Sequence, residues 1–371
     1  MRNADALVRA LRDPASTATL DGEGWTQLIA IARAEQLAGT LADRVRGVDK
    51  APAADRLLAA AYASAEQGRV QALWEAEMAR RALSPLGLPV VALKGTAYVA
   101  AGLAAGRGRS IGDLDILVPR SALDDVERAL LAAGWEWVRP DPYDDAYYRR
   151  WMHELPPLIH RERDRMIDVH HTVLPLTARI TPNAGAMLAD AVVLKDGLAV
   201  LSGDDMICHS AAHLFADGDL AGGLRNLWDL QCLFHEVATP ALWERARMHG
   251  LEAAVARAWR LANSFYVQRP SSQHSTPSSS SRRRGSIVAE PAALSDGSAR
   301  IDPRLRGEDV RSGLADRLYR RRLLARDGWG RATRPVTRLA FFVRSHWLRM
   351  PPAMLARHLF TKWRKGHRAS G

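Results

Sequence analysis

Apolar residues recur at helical spacing over residues 5 to 84, as in the run Trp25 to Ala32 and again from Ala51 to Leu83, which predicts a helical lead-in. From residue 89 the period changes. Pro89 to Leu93 reads as a buried strand, Thr96 to Ala105 as a helix, Leu114 to Val118 as a second strand, and Ser121 to Ala133 as a helix with Ser121 at its N-cap and Gly134 just past its end. The short apolar stretch Trp135 to Val138 follows. Pro156 to Ile159 and Met166 to His170 predict two further strands around the charged turn Arg161 to Arg165. Together these elements predict a small mixed sheet with helices on one side. After Leu174 the pattern is helical again, clearest over Asp204 to Ala216, Leu224 to His235 and Ala241 to Ala262.

The chain therefore divides into an N-terminal helical segment (1–86), a mixed α/β module (87–175), a C-terminal helical region (176–265), a low-complexity insertion expected to be disordered (266–313), and a basic aromatic tail (314–371). The fold class is α+β. Composition fits a globular chain, with 47% hydrophobic and 25% charged residues. No apolar run is long enough to span a bilayer and the first residues lack a signal-peptide core, so a cytoplasmic location is expected. Cys208 and Cys232 are too few for a disulfide framework or a thiolate zinc site.

Charge changes the picture only at one end. The net charge is +11, but 22 Lys and Arg against 7 Asp and Glu lie from Arg282 onward, leaving 30 against 34 in the remainder. Basicity therefore argues for nucleic-acid or anionic-membrane contact through the tail alone.

The candidate chemistry lies in Leu93-Lys94-Gly95-Thr96 and in Arg109-Ser110-Ile111-Gly112-Asp113-Leu114-Asp115. Asp113 and Asp115 at i and i+2 of a strand would share a face, and two like charges in an apolar setting favour a hard divalent cation between them. Lys94-Gly95 reads as a tight turn between strand and helix, able to offer backbone N–H groups to a phosphate. With Ile167-Asp168-Val169-His170-His171, these segments resemble the signatures of the bacterial uncharacterised nucleotidyltransferases of the DNA polymerase beta superfold. His213 and Asn226-Leu227-Trp228-Asp229-Leu230 are similar to that family's helical half, over roughly residues 20 to 265.

The resemblance implies that Asp113, Asp115 and Asp168 form a catalytic trio holding magnesium, as two ions, and that Gly95 cradles the phosphates of a nucleoside triphosphate donor such as ATP. Lys94, Thr96, Arg109 and His170 are the further candidates for nucleotide contact. The implied reaction moves a nucleoside monophosphate to a hydroxyl-bearing small molecule or a peptide or protein side chain. The competing accounts are a non-catalytic nucleotide- or partner-binding scaffold of the same fold, and an RNA-modifying nucleotidyltransferase that recruits RNA through its tail. Bland readings stand beside each residue: Asp168 as a turn-side acid paired with Arg165, Lys94 and Arg109 as solvated cations, and His209 with His213 as helix-packing histidines.

Overall fold

Among the described residues of the computed structural model, which are 4–138, 141–217, 219–267, 309–351 and 354–356, seven short strands form one mixed sheet. In chain order they are β1 (Val91–Ala92), β2 (Leu114–Leu117), β3 (Trp135–Trp137), β4 (Leu158–His160), β5 (Met166–His170), β6 (Val192–Val193) and β7 (Ala199–Val200). Their spatial order is β3-β4-β5-β2-β1-β7-β6. β2 runs parallel to β5 and β1 parallel to β7, and the other neighbouring pairs are antiparallel. Helices precede, interrupt and follow the sheet, which is the α+β arrangement expected.

The alternation of side chains in the two central strands decides where polar groups go. Leu114 and Ile116 of β2 and Ile167 and Val169 of β5 enter one core with Ala76, Ala79 and Leu83 of the helix Pro52–Leu83 and Val126 and Leu130 of the helix Leu123–Ala132. With a period of two, Asp115, Asp168 and His170 then face the other side of the sheet. A second, larger core gathers the N-terminal and C-terminal helices and takes in Val91 and Ala92 of β1 and Val200 of β7.

Several boundaries differ from the sequence expectation. β6 and β7 fall in the stretch expected to be helical. Their signal was an Asp-Gly pair between apolar runs, Asp196-Gly197, where Gly197 has a φ of 84° that suits the turn. The helix expected over Ala241 to Ala262 is two, Leu242–Met248 and Glu252–Tyr266, broken where Gly250 turns left-handed at φ 65°. Ser121 is not an N-cap: it lies in a 3-10 turn, Arg120–Ala122, and the helix Leu123–Ala132 begins with no side-chain cap. Gly134 does follow that helix in a left-handed conformation, at φ 101°.

The expected disordered insertion lies for the most part outside the described residues. The described part of the tail, by contrast, is built into the larger core. Its helices Asp309–Leu323 and Pro335–Arg349 place Tyr319, Leu323 and Phe341 there, with Tyr319 edge-on to Phe215 at 5.5 Å and to Phe341 at 5.0 Å. Arg326 reaches back to bond buried Glu35 at 2.6 Å, whose other oxygen accepts from the Leu224 N–H at 3.3 Å. A chain segment that reads as an appendage in sequence thus braces the junction of the N-terminal and C-terminal helices.

Candidate active site

β2 and β5 are in parallel register with Asp115 directly beside Asp168 and Leu117 beside His170. Asp113 stands just before β2, outside the strand in which it was expected, and is exposed. One carboxylate oxygen from each of Asp113, Asp115 and Asp168 nevertheless lies within 4.8 Å of the other two. The sequence brings the first two acids together by spacing; only the sheet register brings the third.

Asp115 is 3% exposed and is bonded by the Lys94 ammonium at 2.7 Å and by His170 Nε2 at 2.9 Å, both on the same oxygen. Burial would raise its carboxyl, but Lys94 and His170 outweigh burial and hold it well below the ordinary range. Burial likewise disfavours charge on Lys94, yet Asp115, Asp113 and Glu154 together raise it. Asp168 has the opposite balance. Burial, and then the neighbouring charges of Asp115 and Asp113, push it up to about 7, with Lys94 only partly compensating. Asp168 is thus the second acid of a like-charge pair, not a turn-side acid on Arg165.

The expected Lys94-Gly95 turn is instead the start of the helix Lys94–Ala100. Lys94, and not Gly95, takes the left-handed conformation, at φ 49°, a strained position for a residue with a side chain. That backbone aims the Lys94 amine at Asp115. Gly95 serves another need: a Cβ there would sit 2.5 Å from Arg109 Nε and 3.2 Å from its Cδ, so the absence of a side chain is what lets Arg109 cross the helix start. Thr96 is buried, with a hydroxyl that has no hydrogen-bond partner.

Arg109 is not a free cation. Its guanidinium is paired with buried Asp229 and lies over the Tyr98 ring, 5.5 Å from the centroid, while Asp229 also accepts from Arg225 at 3.1 Å. Arg225 in turn donates to the Thr40 hydroxyl. The Asp229 of the helical-half motif therefore fastens the loop that carries Asp113 to the helix Gly223–Glu236, and through Arg225 to the N-terminal helices. The sequence showed that motif without a partner for it, because the partner is 120 residues away.

Two residues that the motif reading passed over, His153 and Glu154, also arrive at the site. Glu154 bridges to His170 in antiparallel fashion, and His153 precedes it. His209, in the helix Gly203–Ala212, is buried beside this cluster, and its ring is pushed well below the ordinary value by burial and by the charges of Lys94, His213 and His170. Burial also lowers His170. His171 points elsewhere and is lowered to about 4, by burial and then by Arg120.

Three hard oxygen donors within 4.8 Å of one another, one of them held back from ionising by burial and then by the other two, suit a divalent cation of the magnesium class. The family model described as uncharacterised nucleotidyltransferase matches residues 21–267, two thirds of the chain. No curated protein matches it.

Proposed function

We propose that this chain, which belongs to the family of uncharacterised nucleotidyltransferases, moves a nucleoside monophosphate from a nucleoside triphosphate such as ATP to a hydroxyl on a small molecule or on a peptide or protein side chain, with magnesium. The convergence of Asp113, Asp115 and Asp168 within 4.8 Å carries this reading. In it, the three aspartates hold one or two divalent ions, which supply neutralisation of phosphate charge and alignment of the attacking and leaving oxygens.

The remaining roles belong to the chain itself. Asp168, beside Asp115 in the sheet, is the acid that would take the proton of the acceptor hydroxyl. Lys94, with its side chain 26% exposed and its amine on Asp115, is the cation that would meet a phosphate oxygen of the donor. His170 keeps Asp115 oriented rather than touching nucleotide. Arg109, read together with Lys94 as a candidate for nucleotide contact, braces the Asp113 loop through Asp229.

The test is pyrophosphate release from each of the four ribonucleoside triphosphates with magnesium and a broad acceptor extract, for wild type and Asp113→Ala. Release that needs both Asp113 and the extract supports the transfer. A folded wild type that binds nucleotide and releases nothing overturns it in favour of the scaffold reading.

A cytoplasmic location is part of the same reading, supported by two buried cysteines that remain free thiols. Among the described residues no helix is long and apolar enough to cross a membrane. For the tail, the exposed Val336, Leu339, Phe342, Val343 and Trp347 on the helix Pro335–Arg349 favour an anionic lipid surface over RNA. No acidic residue follows Asp327. Co-sedimentation with phosphatidylserine vesicles, lost in Val343→Asp, checks this contact; retention by that variant refutes it.

A further inference from the structure

A second set of possible metal ligands, His153, Glu154 and His170, lies beside the aspartate trio, with one ligand atom from each within 4.8 Å of the others. Sheet pairing assembles it. Glu154 sits opposite His170 in an antiparallel bridge, which turns the two side chains to one face, and the His153 carbonyl accepts from the His171 N–H at 2.9 Å. Glu154 Oε2 is 3.5 Å from His170 Nδ1 and 3.6 Å from His153 Nε2.

The hydrogen bond on the far side of His170 fixes what its near side offers. Asp115 can only accept, so Nε2, 2.9 Å from that carboxylate, carries a proton. Nδ1 is the ring nitrogen left to face Glu154, 3.5 Å from its Oε2. It is buried, on a residue 2% exposed, without a hydrogen-bond partner, and it faces a carboxylate oxygen. A positive charge between the two, whether a proton or a metal ion, satisfies both. A carboxylate that receives the outer N–H of a ligating imidazole is also the usual support of a metal-bound histidine.

We infer that His153, Glu154 and His170 form a second metal site, selective for a zinc-class cation, which locks His170 and through it orients Asp115. Tetrahedral zinc with bonds of about 2.0–2.1 Å separates its ligand atoms by about 3.3 Å, so the two observed separations need only a small contraction. Two imidazole nitrogens and one carboxylate prefer zinc or a similar borderline ion, whereas the all-oxygen trio prefers magnesium. Glu154, with its side chain 19% exposed, leaves the fourth position open to water. The inference rests on this geometry and not on the transferase reading.

Zinc and cobalt(II) are the probes, on the full-length protein. Wild type and Asp113→Asn should each keep about one equivalent of zinc through gel filtration in chelator-free buffer. Cobalt(II) should give the intense visible absorption of a low-coordinate site, with a hyperfine-shifted exchangeable imidazole proton from His170. His153→Gln and Glu154→Gln should weaken zinc binding by at least tenfold, and His153→Cys, which restores a ligand, should recover it. A merely structural histidine would show no such rescue. Should a variant fail to fold, the cobalt spectrum of the wild type decides alone. The inference is overturned if wild type shows no imidazole-bound cobalt, or if zinc is lost in Asp113→Asn and kept in His153→Gln.

Discussion

Two buried carboxylates of this molecule, Asp205 in the C-terminal helices and Asp115 in the sheet, are each hydrogen-bonded by a cation and a histidine, yet they sit in opposite electrostatic situations. Asp205 is fully buried and receives a two-point ion pair from Arg245, at 2.6 and 2.5 Å, and a bond from His249 at 2.9 Å. Asp190 completes the set by pairing with Arg245 at 2.6 Å. Donors there match acceptors, and the cluster joins the helices Gly203–Ala212 and Leu242–Met248. Around Asp115 four carboxylates, counting Asp113, Asp168 and Glu154, share one lysine, and one of them stays reluctant to ionise. A cluster whose charges close is architecture. A cluster that carries excess negative charge in a strained setting is disposed to take up positive charge from outside.

The strongest way to break this comparison is to remove one acid from each side. Asp113→Asn should lower magnesium-dependent pyrophosphate release on the order of 10³-fold, ~4 kcal/mol of barrier, while the far-UV spectrum stays intact. In metal-free buffer the same change should raise thermal stability slightly, because it relieves repulsion at an exposed acid. Asp205→Asn should do the reverse. Leaving Arg245 and His249 without their carboxylate should cost about 3–5 kcal/mol in denaturant melts, with nucleotide affinity of the folded fraction unchanged. Full activity in the first variant, or unchanged stability in the second, would remove the distinction.

Gly95→Ala probes the tie between the two halves. Its Cβ would meet Arg109 Nε at 2.5 Å, and Asp229 restrains Arg109 from moving away, so a loss of about 1–3 kcal/mol is expected. Combining it with Asp229→Asn should give less than the sum of the separate effects, since the guanidinium is then released.

The pH dependence sharpens the contrast in sign. Asp168 in the folded state keeps its proton up to about 7, whereas the unfolded chain loses it near 3.8. Between those values the native state binds the extra proton, so the stability of metal-free protein falls as pH rises through this window. Asp168→Asn should flatten that slope, and saturating magnesium should do the same. For Asp205 burial opposes ionisation, but His249 and Arg245 hold the carboxyl below its ordinary value of 3.8. Its contribution is complete above that value and is lost as pH falls further, so Asp205→Asn should flatten only the acid limb. Chemical denaturation at a series of pH values reads both slopes.

Local pattern made much of the site legible. The alternation Leu114, Asp115, Ile116 and Ile167, Asp168, Val169 is visible in sequence, and so is the apolar face that forces both aspartates to the opposite side. The order of motifs pointed to the family that matches residues 21–267. Where the reading fell short, the cause was distance along the chain. The ion-pair partner of Arg109, Asp229, lies 120 residues on, beyond the reach of local pattern. Glu154 and His153 carry no motif and gain meaning only opposite His170. The tail looks detachable until Tyr319, Phe341 and Arg326 are seen packed and bonded against residues 215 and 35.

The sequence by itself determined the strands around the site and which face of β2 and β5 is polar, because periodicity acts over a few residues, while β6, β7 and several helix ends escaped it. It also determined that Asp113 and Asp115 would be neighbours. Tertiary structure alone decided the rest: that β5 lies parallel to β2 with Asp168 beside Asp115, that Lys94 rather than Gly95 takes the strained turn, and that Arg109 is held rather than free. Those outcomes depend on register and on long-range pairing of charge, where the cost of burying an acid is set by whichever cation the fold brings to it.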